Sequence, residues 1–217
     1  MTVLALAKRR TNAALIADCA TLGYLTDDMA IWDPTYGLGT FWTDWQPDPA
    51  KGGDLWCTDI DPAKSPDNPA GYDFTSASPF HDRYYDAVVL DPPYKLNGTD
   101  QGEGHRYGVT QPATRADKHR LMADMLTGAH RVVRPGGTVL FKCQDQVEGG
   151  RVRWQTHTFA AHGETLGLEL VDLLLFPSYR PQPSGRSQHH ARRNYSSLLV
   201  FTKPKRRRAP AIDLGGA

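Results

Sequence analysis

The chain has 217 residues, with 25 Lys and Arg, 24 Asp and Glu, and a net charge of +1. This length suits one well-buried domain rather than two, and no apolar run approaches a membrane span, so we expect no membrane association. The three cysteines (Cys19, Cys57 and Cys143) are far apart, and the eight histidines form no ligand cluster. We therefore predict no metal site, no disulfide framework, and reduced thiols in a cytoplasmic protein.

The charge is divided unevenly along the chain. Residues 1–172 carry a net charge of −7, whereas residues 173–212 contain nine basic residues and no acid. A basic segment beside an acidic body indicates a polyanionic partner. At its end, we expect residues 204–217 to form a basic, flexible tail.

The predicted elements alternate between strands and helices. Apolar side chains at helical spacing indicate a helix over residues 11–25. Strands are predicted at 29–32, 54–58, 85–90, 138–142, 168–176 and 196–202, with a weaker one ending near 73–74, and further helices at 113–133 and 152–166. This alternation predicts a single, doubly wound α/β domain over residues 1–203.

The most distinctive motif, Asp91-Pro92-Pro93-Tyr94, directly follows the buried strand at 85–90. Its two prolines lack N–H donors and fix φ, so the chain must leave the sheet here. In open α/β sheets, ligands bind at this carboxyl end of the strands. A carboxylate, free backbone carbonyls and an aromatic face together suit a planar substrate that bears an amino group.

A second motif, Asp33-Pro34-Thr35-Tyr36-Gly37-Leu38-Gly39-Thr40, follows the strand at 29–32, and its glycines allow close approach to a ligand. Asp59 lies 20 residues after Gly39 and precedes Ile60, which is the spacing expected for an acid that binds ribose hydroxyls. Asp33 could hold an ammonium or sulfonium group, and Asp73-Phe74 could hold an adenine. Because no phosphate-binding motif is present, the pattern favours a nucleoside without phosphates.

These motifs resemble those of the class I DNA amino-methyltransferases. The segment from Asp33 to Thr40 resembles the family's S-adenosylmethionine motif, and Asp91 to Tyr94 resembles its catalytic motif. Arg131 to Gly137 resembles the turn between a helix and a strand that these folds share. The resemblance, over residues 11–203, implies S-adenosylmethionine as the cofactor. It also implies a Rossmann-like class I methyltransferase fold, with a seven-stranded, mostly parallel sheet and an antiparallel last strand.

By this resemblance, the chain would methylate the exocyclic N6 amine of adenine in DNA. Asp91 and the Pro92 carbonyl would accept the two N–H bonds of the amine and aim its lone pair at the methyl group. Tyr94 would stack on the base after the base leaves its helix. The acidic first residue of the motif favours adenine, because serine is commoner there in the family's cytosine N4 enzymes.

In this fold, the loop at 177–195 would lie beside the active site. It carries Arg180, Arg186, Arg192 and Arg193, which we predict to contact the phosphates of a nucleic acid. No segment resembles a target-recognition domain. Sequence reading would then come from this loop, from the loop at 95–112, from a partner subunit, or hardly at all.

Two other interpretations stay open. Similar tetrapeptides occur in cytosine N4 and RNA base methyltransferases, so RNA is an alternative to DNA as the partner. A non-catalytic nucleic-acid-binding module with a degenerate methyltransferase fold is the other alternative. The intact Gly37, Gly39, Asp91 and Tyr94 argue against such a module. The sequence leaves the oligomeric state open, a homodimer included.

Overall fold

The computed structural model describes residues 11–76, 84–96, 114–177, 189–191 and 193–205. Its strands are β1 (Ala30–Asp33), β2 (Asp54–Cys57), β3 (Tyr85–Leu90), β4 (Val133–Cys143), β5 (Gln146–Glu148), β6 (Arg151–Arg153), β7 (Glu169–Pro177) and β8 (Tyr195–Thr202). Its helices are α1 (Asn12–Thr21), α2 (Arg115–Val132) and α3 (Gln155–Thr165). Short 3₁₀ turns form at Pro49–Lys51 and Pro62–Lys64.

The main sheet has six described strands in the order β2-β1-β3-β4-β8-β7. Strands β2, β1, β3 and β4 are parallel, and β8 is antiparallel to both of its neighbours. The predicted α/β fold, with a mostly parallel sheet and an antiparallel last strand, is therefore confirmed. Strand β7 runs parallel to β4, so its last residue, Pro177, lies at the edge of the sheet where β1 to β4 end.

The predicted count of seven strands is wrong for the described residues, because the weak strand near Asp73-Phe74 does not form. The Asp73 carboxylate instead accepts hydrogen bonds from the backbone N–H (2.9 Å) and the hydroxyl (2.7 Å) of Thr75. Such local bonds turn the chain and compete with strand pairing. Phe74 is nonetheless buried, which accounts for the apolar signal at this position.

Helix α1 is shorter than the predicted helix at 11–25. It begins after Thr11, whose hydroxyl caps it by accepting a bond from Ala14 N, and it ends at Thr21. Gly23 then adopts a φ of +81°, which an α-helix cannot accommodate. Leu25 lies beyond the helix but is buried, so the apolar spacing predicted burial correctly and helix length incorrectly.

Two apolar clusters cover the two faces of the sheet. Alternate residues of β3 divide between them: Val88 and Leu90 join the cluster that includes α2, and Ala87 and Val89 join the cluster that includes α1. All six residues of β3 are buried, which suits a central parallel strand covered on both faces. Among the described residues, no helix is long and apolar enough to cross a bilayer.

Candidate active site

The glycine turn after β1 is fixed to the end of β2 by backbone hydrogen bonds. Thr58 N donates to Asp33 O (2.9 Å), and Tyr36 N donates to Thr58 O (3.1 Å). Gly37 and Gly39 adopt φ values of +59° and +69°, the left-handed region that favours glycine. The turn therefore has a defined shape at the carboxyl edge of the sheet.

The Asp33 side chain supports this turn from within. Its carboxylate is buried and accepts bonds from Trp42 Nε1 (2.7 Å), Thr35 N (2.9 Å) and Thr35 Oγ1 (3.0 Å). Burial raises the pKa of Asp33 to about 7, although the Trp42 and Thr35 donors oppose this shift. These bonds give Asp33 a role in shaping the turn, and its contact with a sulfonium or ammonium group stays a prediction.

Asp59 connects the end of β2 to the glycine turn. Its carboxylate accepts bonds from the backbone N–H groups of Gly37 (2.9 Å) and Asp61 (2.9 Å). Burial raises the pKa of this carboxyl above its ordinary value, and the two N–H donors oppose the shift. Asp59 therefore reaches the position where the sequence predicts contact with a ribose.

A cavity brings together eight of the fourteen residues predicted for the cofactor site and for the Asp91-to-Tyr94 motif. The predicted residues among its lining are Pro34, Thr35, Asp59, Ile60, Asp73, Phe74, Asp91 and Pro93. The structure adds Tyr72, Thr75, Leu121 and Met125, the last two from α2. Six predicted residues are not among the lining residues: Asp33, Gly37, Gly39, Thr40, Pro92 and Tyr94. The two glycines act here through the shape of the turn.

The chemistry of this cavity fits S-adenosylmethionine. Its described lining includes three carboxylates, Asp59, Asp73 and Asp91, and neither Lys nor Arg. Such a lining disfavours phosphates and favours a cation. Apolar walls from Phe74 and Met125 suit the flat face of an adenine. Phe74 itself packs edge-on against Trp32, with ring centroids 4.8 Å apart, so it forms a rigid part of the wall.

Asp91 lies at the end of β3 with its backbone and side chain both oriented by neighbours. Its N–H donates to Thr35 Oγ1 (2.8 Å), and its Oδ2 accepts a bond from Lys142 Nζ (3.1 Å). Its Oδ1 is buried and finds no hydrogen-bond partner among the described residues. The Pro92 carbonyl accepts one bond from Tyr94 N (2.7 Å), which leaves one lone pair for another donor.

Two glutamines, which the sequence analysis did not predict, hold the backbone of Tyr94. Its carbonyl accepts bonds from Gln146 Nε2 (2.7 Å) and Gln155 Nε2 (2.8 Å). Gln155 is fully buried, and its side-chain oxygen Oε1 accepts a bond from Gln144 N (3.0 Å). Gln144 and Gln146 in the segment after β4, together with Gln155 at the start of α3, therefore fix the Asp91-to-Tyr94 motif where it leaves β3.

The same segment also holds the end of the basic loop. Gln144 Nε2 donates to the carbonyls of Tyr195 (2.9 Å) and Arg193 (3.3 Å). The Arg193 guanidinium lies 4.7 Å from the ring centre of Trp154, which is half exposed. Arg193 is thus adjacent to the segment that fixes Tyr94, whereas Arg180, Arg186 and Arg192 lie outside the described residues.

Comparisons with known proteins identify the fold. No protein-family model matches the chain, and no curated protein matches it. A putative methyltransferase from Bacillus halodurans C-125 is 14% identical, with a TM-score of 0.57, over 88% of this chain and 99% of that chain. A putative sarcosine dimethylglycine methyltransferase from Galdieria sulphuraria is 12% identical, with a TM-score of 0.55, over 89% of this chain and 85% of that chain.

TrmN from Thermus thermophilus is 17% identical, with a TM-score of 0.49, over 88% of this chain and 48% of that chain. The chain thus spans about half the length of that protein. The first two likenesses establish the architecture. The chain has the class I Rossmann-like methyltransferase fold, with six described strands in its main sheet.

We predict that Gly39→Ala weakens the binding of S-adenosylmethionine and lowers stability by about 1–2 kcal/mol. The residue has a φ of +69°, and an added Cβ would lie 2.5 Å from Tyr36 Oη. Calorimetric titration with the cofactor measures the first effect, and urea unfolding measures the second. Gly52→Ala is a matched control, because Gly52 has a φ of +88° and open space around it. Equal cofactor affinity in both variants would contradict the role of this turn.

Proposed function

We propose that the chain transfers a methyl group from S-adenosylmethionine to the exocyclic N6 amine of adenine in DNA. The observation that carries this proposal is one cavity lined by Pro34 and Thr35 of the first motif and by Asp91 and Pro93 of the second, together with the buried Asp91 Oδ1, which finds no described hydrogen-bond partner. A buried carboxylate oxygen without a donor is costly, and a substrate N–H is the donor this site would receive.

Three features support S-adenosylmethionine as the cofactor. The cavity walls carry three carboxylates without a described Lys or Arg, which suits a cationic nucleoside. Asp59 is held at the end of β2 by Gly37 N, as expected for a ribose-binding acid. Both of the structures described above that have TM-scores above 0.5 are named as putative methyltransferases, and we extend that activity to this chain as part of the proposal.

The cofactor supplies a methyl group on a positively charged sulfur, which retains the electron pair of the broken bond as the methyl passes to the amine nitrogen. Asp91 Oδ1 and the free lone pair of the Pro92 carbonyl accept the two N–H bonds of the amine. These bonds withdraw the nitrogen lone pair from the ring and direct it at the methyl group. The methylated nitrogen is a strong acid, and its extra proton passes to Asp91 and then to water. Tyr94 stacks on the base, which is worth about 1–3 kcal/mol.

The acidic form of the motif favours adenine over cytosine, and the basic segment favours a polynucleotide over a free base. We propose Arg180, Arg186, Arg192 and Arg193 as its phosphate contacts. Of these four arginines, Arg193 lies within the described residues. Its guanidinium lies beside the exposed ring of Trp154, and a cation next to an aromatic ring suits contact with a phosphate and a base.

The proposal is tested by incubating the purified chain with methyl-labelled S-adenosylmethionine. Double-stranded DNA, single-stranded DNA and RNA, all prepared without methylation, are offered separately. Genomic DNA is used because it contains every short recognition sequence. We expect label in DNA. Label in RNA alone would support the RNA alternative, and no label in any polynucleotide would contradict the proposal.

We predict that Arg192→Ala with Arg193→Ala weakens DNA binding and makes its dependence on salt shallower. Each lost phosphate contact changes the slope of log K against log[salt] by about 0.9, so the double variant should lose nearly two units. Arg134→Ala is a matched control, since this exposed arginine pairs with Asp86 at the opposite edge of the sheet. Binding measured by fluorescence anisotropy over a salt series checks the effect. An unchanged slope would show that neither arginine contacts the DNA phosphates.

A further inference from the structure

Lys142 is a buried cation at the end of β4. Its side chain is 3% exposed. Its Nζ lies 3.1 Å from Asp91 Oδ2 and 3.0 Å from Asn12 Oδ1 at the start of α1. Burying an ammonium group is costly unless it is paired and hydrogen-bonded. The pairing with Asp91, the proposed catalytic carboxylate, therefore offsets the cost of burying Lys142 and suggests that Lys142 acts on Asp91.

Three aromatic rings surround the ammonium group of Lys142. The ring centres of Phe41, Tyr94 and Phe176 lie 5.1, 5.5 and 5.8 Å from Nζ. Aromatic faces at such distances attract a cation and displace water from around it. The rings come from three separate parts of the chain, and one of them belongs to the catalytic motif. The arrangement therefore fixes the position of the Lys142 ammonium group beside Asp91.

The pairing gives the two oxygens of Asp91 different environments. Oδ2 accepts the bond from Lys142, while Oδ1 is buried without a described partner. The backbone of Asp91 is held separately by Thr35 Oγ1, which also donates to Asp33. Asp91 is thus held at its backbone N–H and at Oδ2, and Oδ1 remains to accept a bond from a new donor.

We infer that Lys142 is a positioning residue for methyl transfer, which holds the Asp91 carboxylate through Oδ2 and leaves Oδ1 to accept a bond from the substrate amine. This inference rests on the function proposed above. In the described part of the chain, Lys142 pairs with Asp91, Asp33 at the end of β1 interacts with it electrostatically, and Asp59 and Asp73 line the same cavity. In general, removing a cation that pairs with a carboxylate favours the protonated form of the carboxylate, and a protonated carboxyl group accepts an amine N–H poorly.

The test compares Lys142→Met, Lys142→Arg and the wild-type chain in the pH dependence of kcat for methyl transfer to DNA. In Lys142→Met we expect a lower kcat and an acid limb shifted upward by about one to three pH units. Lys142→Arg retains the charge, so its acid limb should return to the wild-type position. Lys203→Met is a matched control. Lys203 is also a buried lysine, but it donates to the carbonyls of His130 and Val133 at the opposite edge of the sheet.

We expect Lys203→Met to lower stability without moving the acid limb. A wild-type acid limb in Lys142→Met would overturn the inference while leaving the proposed function intact. If the wild-type chain methylates no polynucleotide, the proposed function fails. The pairing of Lys142 with Asp91 is then tested through the free energy of unfolding. Urea unfolding of Lys142→Met, Asp91→Asn and the double variant should then give non-additive losses of stability that grow from acid to neutral pH. Additive losses at every pH would overturn the inference in that case as well.

Discussion

Replacing Asp91 with alanine is expected to reduce the rate of methyl transfer by about 10²- to 10³-fold, the range seen when one positioned hydrogen-bonding group is removed from an active site. The loss follows from the missing Oδ1 acceptor, without which the amine lone pair stays delocalised and poorly aimed. Cofactor affinity should change little, because Asp91 contributes one side chain among the twelve that line the cavity. Single-turnover transfer of label to DNA measures the rate, and calorimetric titration measures the affinity.

Two companion variants separate chemistry from folding. Asp91→Ala also leaves Lys142 buried without its anion, which is destabilising in itself. Asp91→Asn keeps an oxygen for one donor and lacks the charge, so we expect a rate between those of the wild type and the alanine variant. Asp44→Ala, on an exposed residue, should have the wild-type rate. A wild-type rate in Asp91→Ala would show that Asp91 takes no part in transfer.

Replacing Trp32 with alanine is expected to lower the free energy of unfolding by about 3–5 kcal/mol. Trp32 is fully buried, and its ring centre lies 4.8 to 5.3 Å from those of Trp56, Tyr72, Phe74 and Tyr85. Its Nε1 also donates to Thr58 Oγ1 (2.9 Å). Because Tyr72 and Phe74 form a wall of the cavity, the same change should weaken cofactor binding.

Urea unfolding at a fixed temperature checks the stability of this variant. Trp154→Ala is the control, since the Trp154 side chain is half exposed and its removal should change stability by about 0.5 kcal/mol or less. Comparable losses in the two variants would contradict the central position of Trp32 in the core.

The strands of the main sheet could be predicted from the sequence because each contains a short apolar run with a clear end, although β4 begins at Val133 and not at residue 138 as predicted. The bounds of β3 match the prediction, and the ends of β1 and β2 lie within one residue of theirs. The spacing of apolar residues indicates which side chains are buried but does not fix the backbone conformation. For this reason the helix predicted to reach Leu25 and the strand predicted to end near Phe74 were wrong. Both residues are buried, but Gly23 ends the helix before one and the Asp73 turn replaces a strand at the other.

The β5–β6 hairpin was not predicted, although a signal for it exists. Gly149 and Gly150 have φ values of +58° and +72° and form a two-residue connection between two three-residue strands. A Gly-Gly pair between short strands is typical of such hairpins. The strands themselves are too short and too polar to have suggested a sheet.

The candidate site could be predicted where one motif supplies neighbouring residues, as in Asp91 and Pro93. Lys142, Gln146 and Gln155 were missed, because they reach the Asp91-to-Tyr94 motif from the end of β4, from β5 and from α3, respectively. Only the fold brings them there. A partial signal was present in Lys142, a charge at the end of the otherwise apolar run Val139-Leu140-Phe141. Charge in a buried strand is costly and indicates a partner at the sheet edge.

The central claim is methyl transfer to the N6 amine of adenine, and identification of the methylated nucleoside tests it most directly. Unmethylated genomic DNA is incubated with the wild-type chain and S-adenosylmethionine, digested to nucleosides and separated by liquid chromatography with mass detection. We predict N6-methyl-2′-deoxyadenosine as the product, and Asp91→Ala incubated for the same time should form about 10²- to 10³-fold less of it. N4-methyl-2′-deoxycytidine as the product, or no methylated deoxynucleoside at all, would contradict the claim.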